Sequence, residues 1–469
     1  MSFSTLFFLF VFLPVSLILY YVFPKKLRNI PLVVLSLVFY AWGNPVYLIL
    51  LLLSMAFNYV SGLQIAGYKE AGRTGFARAA MIIAVAANLL LLGYFKYFAF
   101  LLETLNLIPG LNLSAPELSL PLGLSFYTFT VLSYILDVYM DRAPVQKNVL
   151  SYAVYATFFP KIISGPIVQY RDMAEQIEAE RETPPAKIAS GMNLFLVGLF
   201  KKVLLADNLG TVFGAVSGLE AMSVGTAWLG MVLYSLQLYF DFSGYSDMAI
   251  GLSKMLGFDL DKNFDYPYRA LNITDFWRRW HISLGAWFRE YVYIPLGGSR
   301  CSKPKIFRNL LIVWLLTGLW HGASWSFIAW GLWHGAFAML ERFVIKDRLD
   351  KVPAPIRIFG TCLIAFLGWV MFFSGSLSNM VHYFGQMFGA GHLGLIDSGF
   401  RYYFSSSWLL ILAAVIGSGP LVRRLHQNLT YRRGGAAVYI SAALYVLLLV
   451  LCIASMVSST YTSFLYFQF

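Results

Sequence analysis

Long apolar runs separated by short, mostly basic segments set the rhythm of this 469-residue chain. Many runs approach or exceed the ~20 residues that carry a helix across a bilayer. None shows the ~10-residue alternation of a membrane barrel strand. The pattern predicts an all-α, polytopic membrane protein of about eleven transmembrane helices in one domain, 1–469. The runs fall at 4–23, at 31–63 with a break at Gly43-Asn44-Pro45, and at 79–102. A span opening at Pro121 and a broken segment at 151–170 follow. Further spans lie at 188–206, 224–253, 308–321, 324–341, 357–376, 407–423 and 436–457. Pro121 is placed for a first helical turn.

Within 151–170, Pro160, Gly165 and Pro166 argue for a re-entrant or broken helix. Irregular backbone at that depth is tolerated only against protein or a water-filled cavity. Lys161 lies inside it, either to meet an anionic substrate or to snorkel to the interface, the more ordinary behaviour.

Charge sets the orientation. No Lys or Arg precedes Lys25, and Lys25, Lys26 and Arg28 follow the first run. The positive-inside rule then puts the N-terminus outside and keeps the first run as an anchor. Residues 103–120, with Glu103 and Glu117 but no Lys or Arg, read as outer. The polar stretch 254–307, richer in Lys and Arg than in Asp and Glu, reads as cytoplasmic. The aromatic tail 461–469 reads as interfacial.

At 59% hydrophobic and 12% charged residues, the chain departs from the ~25% charge of soluble domains. Its net charge of +12 would point to nucleic acid in a soluble protein, but loops held inside by their charge account for it. Cys301, Cys362 and Cys452 form neither a metal spacing nor a disulfide framework, so no metal is expected.

Candidate chemistry concentrates in 237–325. Asp241 and Asp247 lie in an apolar run, where carboxylates are costly. Six positions apart they face different directions, about 240° around a helix, and form no dyad. Asn272 caps a helix with Asp275 at its third position, expected to run to about Tyr291. Helical spacing puts Trp277, Trp280, His281, Leu284 and Phe288 on one stripe. Arg278 and Arg279 point elsewhere, towards headgroups or phosphates. Such a stripe marks an in-plane helix at the membrane surface, with His281 either a bonded spacer or a working residue.

His321 stands between Trp320 and Trp325, beside Gly322, which lets a substrate approach closely. An imidazole takes and returns protons near neutral pH, and equally serves as a bonded core group. Gly318-Leu319-Trp320-His321-Gly322-Ala323 recurs letter for letter at Gly331-Leu332-Trp333-His334-Gly335-Ala336. Local pattern therefore does not choose between His321 and His334, which a continuous helix would hold roughly 20 Å apart. Ser324 is a weak hint of a nucleophile. His382, His392 and His426 read as incidental.

Six stretches, in order, resemble the membrane-bound O-acyltransferase family, in its bacterial alginate O-acetylation branch. They are Leu92 to Tyr97, Pro121 to Tyr127, Phe159 to Pro166, Gln237 to Gly251, Phe276 to Leu284 and Gly318 to Gly322. The resemblance implies tilted helices around a tunnel. It places the family's catalytic histidine on His321 and its second histidine on His281, and leaves His334 without a catalytic match. It also implies extracytoplasmic partners, an acyltransferase or acceptor protein of a polysaccharide modification complex.

The expected activity is transfer of an acyl group, acetyl first, from a cytoplasmic thioester such as acetyl-CoA. The acceptor is a hydroxyl, ultimately on an exported polysaccharide such as alginate. His321 is the expected base, or carries a transient acyl group, and His281 positions the thioester. Asp241, Tyr239, Ser243, Trp277, Trp280, Arg278, Arg279 and Trp320 shape the substrate path. No cofactor is bound; the acyl thioester is a co-substrate. The alternatives are D-alanyl transfer to teichoic acid from a carrier protein and a transporter or flippase that makes no bond.

Overall fold

The computed structural model describes residues 1–43, 45–116 and 118–458. Asn44, Glu117 and the tail 461–469 lie outside the described residues. Among the described residues every regular element is a helix, and six helices are long and apolar enough to cross a membrane. The protein is a multi-pass membrane protein, although length and composition reach six spans rather than about eleven. The remaining expected spans are shorter or more polar. Phe8–Val22 and Leu124–Tyr139 are short apolar helices, and the 32-residue Val224–Met255 carries Asp241, Asp247 and Lys254.

Contacts gather into two compact units, 1–195 with 248–261, and 196–247 with 262–469. The first unit contains α1 (Phe8–Val22), α2 (Asn29–Ala41), α3 (Val46–Glu70), α4 (Thr74–Leu105), α5 (Leu124–Tyr139), α6 (Val149–Thr157), α7 (Tyr170–Glu178) and the start of α8 (Pro185–Ser217). Amide side chains join α3 to α4. Asn58 Nδ2 donates to Asn88 Oδ1 at 3.1 Å and Asn88 Nδ2 donates back to Asn58 Oδ1 at 2.7 Å. Such reciprocal bonds satisfy groups that lipid leaves bare.

Helix α5 starts three residues later than Pro121. Gly123, at φ 72°, caps it in the left-handed region. A side chain on Gly123 would lie 2.7 Å from the Ile162 carbonyl oxygen, so only glycine fits. Between α6 and α7 the chain runs through turns, as the prolines predict. Lys161 does not snorkel: it is buried beneath the Tyr155 ring.

The second unit holds the rest of α8, α9 (Val224–Met255) as far as Asp247, α10 (Ile273–Arg279), α11 (Ile282–Phe288), α12 (Lys303–His321), α13 (Trp325–Leu340), α14 (Ala354–Phe373), α15 (Leu377–Met387), α16 (Ser398–Gly417) and α17 (Leu421–Ser458). Asn272 caps α10 by accepting from Asp275 N at 2.6 Å. The expected single helix to Tyr291 is instead broken at His281, whose φ is +47°. Asn263 holds the break: its carbonyl accepts from Ile282 N at 2.9 Å, and its side-chain oxygen accepts from Ser283 N and Oγ. The aromatic stripe consequently turns into protein rather than onto lipid. Trp280 is buried, its ring 4.7 Å from that of Trp369.

Helices α12 and α13 form a hairpin broken at 322–324, and the repeated hexapeptide explains how tightly they pack. A side chain on Gly331 would lie 2.5 Å from the Trp314 carbonyl and 3.2 Å from Gly318 Cα. One on Gly318 would meet the Phe327 carbonyl at 2.5 Å. The two copies thus supply facing glycines at one crossing, as small residues do between membrane helices. Gly331→Val is expected to force the helices apart and cost about 2–4 kcal/mol, read as a drop in thermal midpoint. An unchanged midpoint would refute this packing.

Candidate active site

His321 ends α12, and the chain leaves it through Gly322 in extended backbone. Gly322 makes room for a neighbour rather than for substrate: a side chain there would lie 2.1 Å from the Phe327 ring. The imidazole is 3% exposed. Its ring centre lies 5.0 Å from Trp320, 4.8 Å from Trp330 and 5.2 Å from Phe372.

Trp320 also reaches His281, with ring centres 6.0 Å apart. The two histidines singled out by the resemblance therefore pack against one indole. His281 is packed edge-on by Phe242 at 4.6 Å, and its Nδ1 lies 3.3 Å from Asn263 Oδ1. That oxygen only accepts, so Nδ1 holds the proton and Nε2 keeps its lone pair.

Burial pushes the His281 pKa down to about 3, so the ring is neutral at physiological pH. A group with a depressed folded pKa binds more protons when unfolded. Its contribution is complete above the unfolded value, ~6.5, and is lost as pH falls towards 3. The slope reaches about 1.4 kcal/mol per pH unit. Thermal midpoints between pH 7.5 and 5 should fall more steeply for the wild type than for His281→Gln; parallel profiles would contradict the assignment.

His334 lies closer to His321 than a continuous helix allows, because the hairpin folds it back. Both rings pack on Trp330, at 4.8 and 5.2 Å. His334 is nevertheless a core residue: Trp277 Nε1 donates to its Nδ1 at 3.4 Å, and a side chain on Gly368 would lie 2.5 Å from its Nε2. Trp277 meets Trp314, Trp330 and Trp369 as well.

Other expected site residues have structural partners. Lys202 Nζ lies 2.8 Å from Asp241 and 2.6 Å from Asp207, a triad joining α8 to α9 in which Lys202 and Asp241 are buried and Asp207 partly so. Lys201 pairs with Asp247 at 2.6 Å. Arg279 is engaged by Asp275 at 2.9 Å and by the Asp265 carbonyl, whereas Arg278 is exposed. Tyr239 packs on Phe264, Tyr268 and Trp280. Ser243 is buried beside it.

Three working residues escape a reading of the sequence. Asn263 anchors His281 with nothing local to mark it. Glu341 ends α13 and accepts from Thr274 N at 2.9 Å and Thr274 Oγ1 at 2.7 Å, capping α10 from outside. Lys202 carried a usable signal, a lysine inside a membrane run, where charges rarely lie without purpose.

The model of the MBOAT, membrane-bound O-acyltransferase family matches residues 141–385, a range that includes His281, His321 and Asn263. The chain belongs to the membrane-bound O-acyltransferase family. This acyltransferase is 37% identical to the probable alginate O-acetylase AlgI of Pseudomonas putida, over 100% of each chain. It is 41% identical to the probable alginate O-acetylase AlgI of Azotobacter vinelandii, over 85% of this chain and 80% of that one. It is 40% identical to the peptidoglycan O-acetyltransferase of Helicobacter pylori, over 70% of this chain and 68% of that one.

Proposed function

We propose that this membrane O-acyltransferase moves acetyl from a cytoplasmic thioester, acetyl-CoA in the simplest case, to hydroxyls of an exported polysaccharide. The carrying observation is that His281 and His321 both pack against the Trp320 ring, at 6.0 and 5.0 Å between ring centres. The acetylation of alginate and peptidoglycan named for the relatives supports acetyl over D-alanyl and polysaccharide over teichoic acid.

In this reading His321 accepts the proton of the attacking hydroxyl as its oxygen bonds to the thioester carbonyl carbon. The tetrahedral intermediate collapses, the C–S bond breaks, and the leaving thiolate takes that proton from His321. General base catalysis of this kind contributes typically 10²–10⁴-fold. A transient acyl-histidine is the covalent variant. Neutral His281, held by Asn263, orients the thioester. Asp241 acts through the lysine it bonds, and Tyr239, Ser243, Trp277 and Trp280 wall the site. The exposed Arg278, on the basic 254–307 stretch, draws in the anionic donor from the cytoplasm.

A passage through the membrane brings the acceptor, or an extracytoplasmic partner that completes delivery, to the same imidazole, with the N-terminus outside. Both units serve this single function, since the family match runs through both. Sealed proteoliposomes test the reading, with labelled acetyl-CoA on the side that the 254–307 stretch faces and a hydroxyl acceptor on the other. Labelled ester on the acceptor is expected. Transport of label without ester would establish the flippase instead, and transfer from a D-alanyl carrier alone would replace acetyl.

A further inference from the structure

The first unit contains a buried cation that this chemistry does not use. Lys161 is 3% exposed. Its ammonium sits 4.2 Å from the Tyr155 ring centre and, among the described residues, has no hydrogen-bond acceptor and no carboxylate. Tyr155 is fixed, its single hydroxyl proton placed between the Thr130 and Val168 carbonyls, each 3.0 Å from the oxygen. A ring face offsets a small part of what burying an ammonium costs. An ionisable group held this way at membrane depth marks a ligand path.

Among the described residues, unpartnered hydroxyls lie on the same turn and on the helix start that abuts it. Ser164 Oγ, in the turn that Gly165 N closes onto the Lys161 carbonyl at 3.1 Å, is buried without a partner among the described residues. So is the hydroxyl of Tyr127, in the first turn of α5. That turn starts at Gly123, which abuts Ile162. A second cation attends the same end of α5: Lys96 Nζ donates to Ser125 Oγ at 3.3 Å. An ammonium with no carboxylate against it among the described residues, and unpartnered hydroxyls on its own turn and on the helix start that abuts that turn, are groups that suit an oxyanion.

We propose that Lys161, with Ser164 and Tyr127, binds a carboxylate or phosphate of a reactant. The proposal rests on the acyl-transfer reading only for the ligand's source, a uronate of an acidic polysaccharide or the phosphates of the thioester donor. The site lies in the unit that does not contain His321.

Titration calorimetry of the full-length protein in nanodiscs tests it. The probes are coenzyme A, a uronic-acid oligosaccharide and the same oligosaccharide with its carboxyls reduced to alcohols. The wild type should bind one of the two anions at least about tenfold more tightly than Lys161→Met does. The neutral sugar should bind neither variant appreciably. Which anion responds identifies the source. Lys161→Met should melt no lower than the wild type, since an uncompensated charge is removed. If that variant fails to assemble, Tyr127→Phe carries the test, with about threefold weaker anion binding expected. His321→Gln should lose acyl transfer yet keep anion affinity, which separates failure of the acyl-transfer reading from failure of this one. Equal anion affinity in the wild type and the variants, or no preference for the charged probes, would overturn the proposal.

Discussion

His321→Gln should lower acyl transfer by about 10²–10⁴-fold while the protein remains folded. Glutamine approximates the volume of imidazole and still hydrogen-bonds, but it does not accept a proton near neutral pH. The packing by Trp320, Trp330 and Phe372 should therefore survive. The effect should fall on the rate at saturating donor more than on donor affinity, because the missing proton transfer belongs to the transition state. A variant that binds donor tenfold more weakly yet turns over at the wild-type rate would make His321 a binding residue.

Lys202→Met should produce the largest loss of stability. Its ammonium lies 2.8 Å from Asp241 and 2.6 Å from Asp207, and side-chain exposure is 4% for Lys202 and 2% for Asp241. Removing one partner of a buried ion pair costs about 3–5 kcal/mol, because the remaining charge stays desolvated. Asp241→Asn should cost less, since Asp207 still neutralises the lysine. The order of thermal midpoints is then wild type, Asp241→Asn, Lys202→Met. Equal midpoints for the two variants would show that Asp207 plays no part in the triad.

Part of this was readable from one-dimensional pattern. Apolar run length predicted an all-helical membrane protein, and Pro160, Gly165 and Pro166 predicted the broken segment. The hairpin boundaries at His321 and Trp325 match the expected 308–321 and 324–341. Of about eleven expected spans, six qualify by length and hydropathy among the described residues, because the other helices are too short or too polar. The break at His281 was hidden because its cause, Asn263, lies eighteen residues away in sequence. The periodic stripe then favoured a continuous helix that tertiary bonding overrides. The repeated hexapeptide posed a choice between histidines, whereas its glycines carry the hairpin crossing and its two imidazoles take different surroundings.

The most direct test of the account compares His321→Gln with His334→Gln, each purified in nanodiscs, matched for folded protein and supplied with labelled acetyl-CoA and a hydroxyl acceptor. Ester formation is expected near the wild-type rate for His334→Gln and reduced at least about a hundredfold for His321→Gln. An inactive His334→Gln beside an active His321→Gln would contradict that expectation.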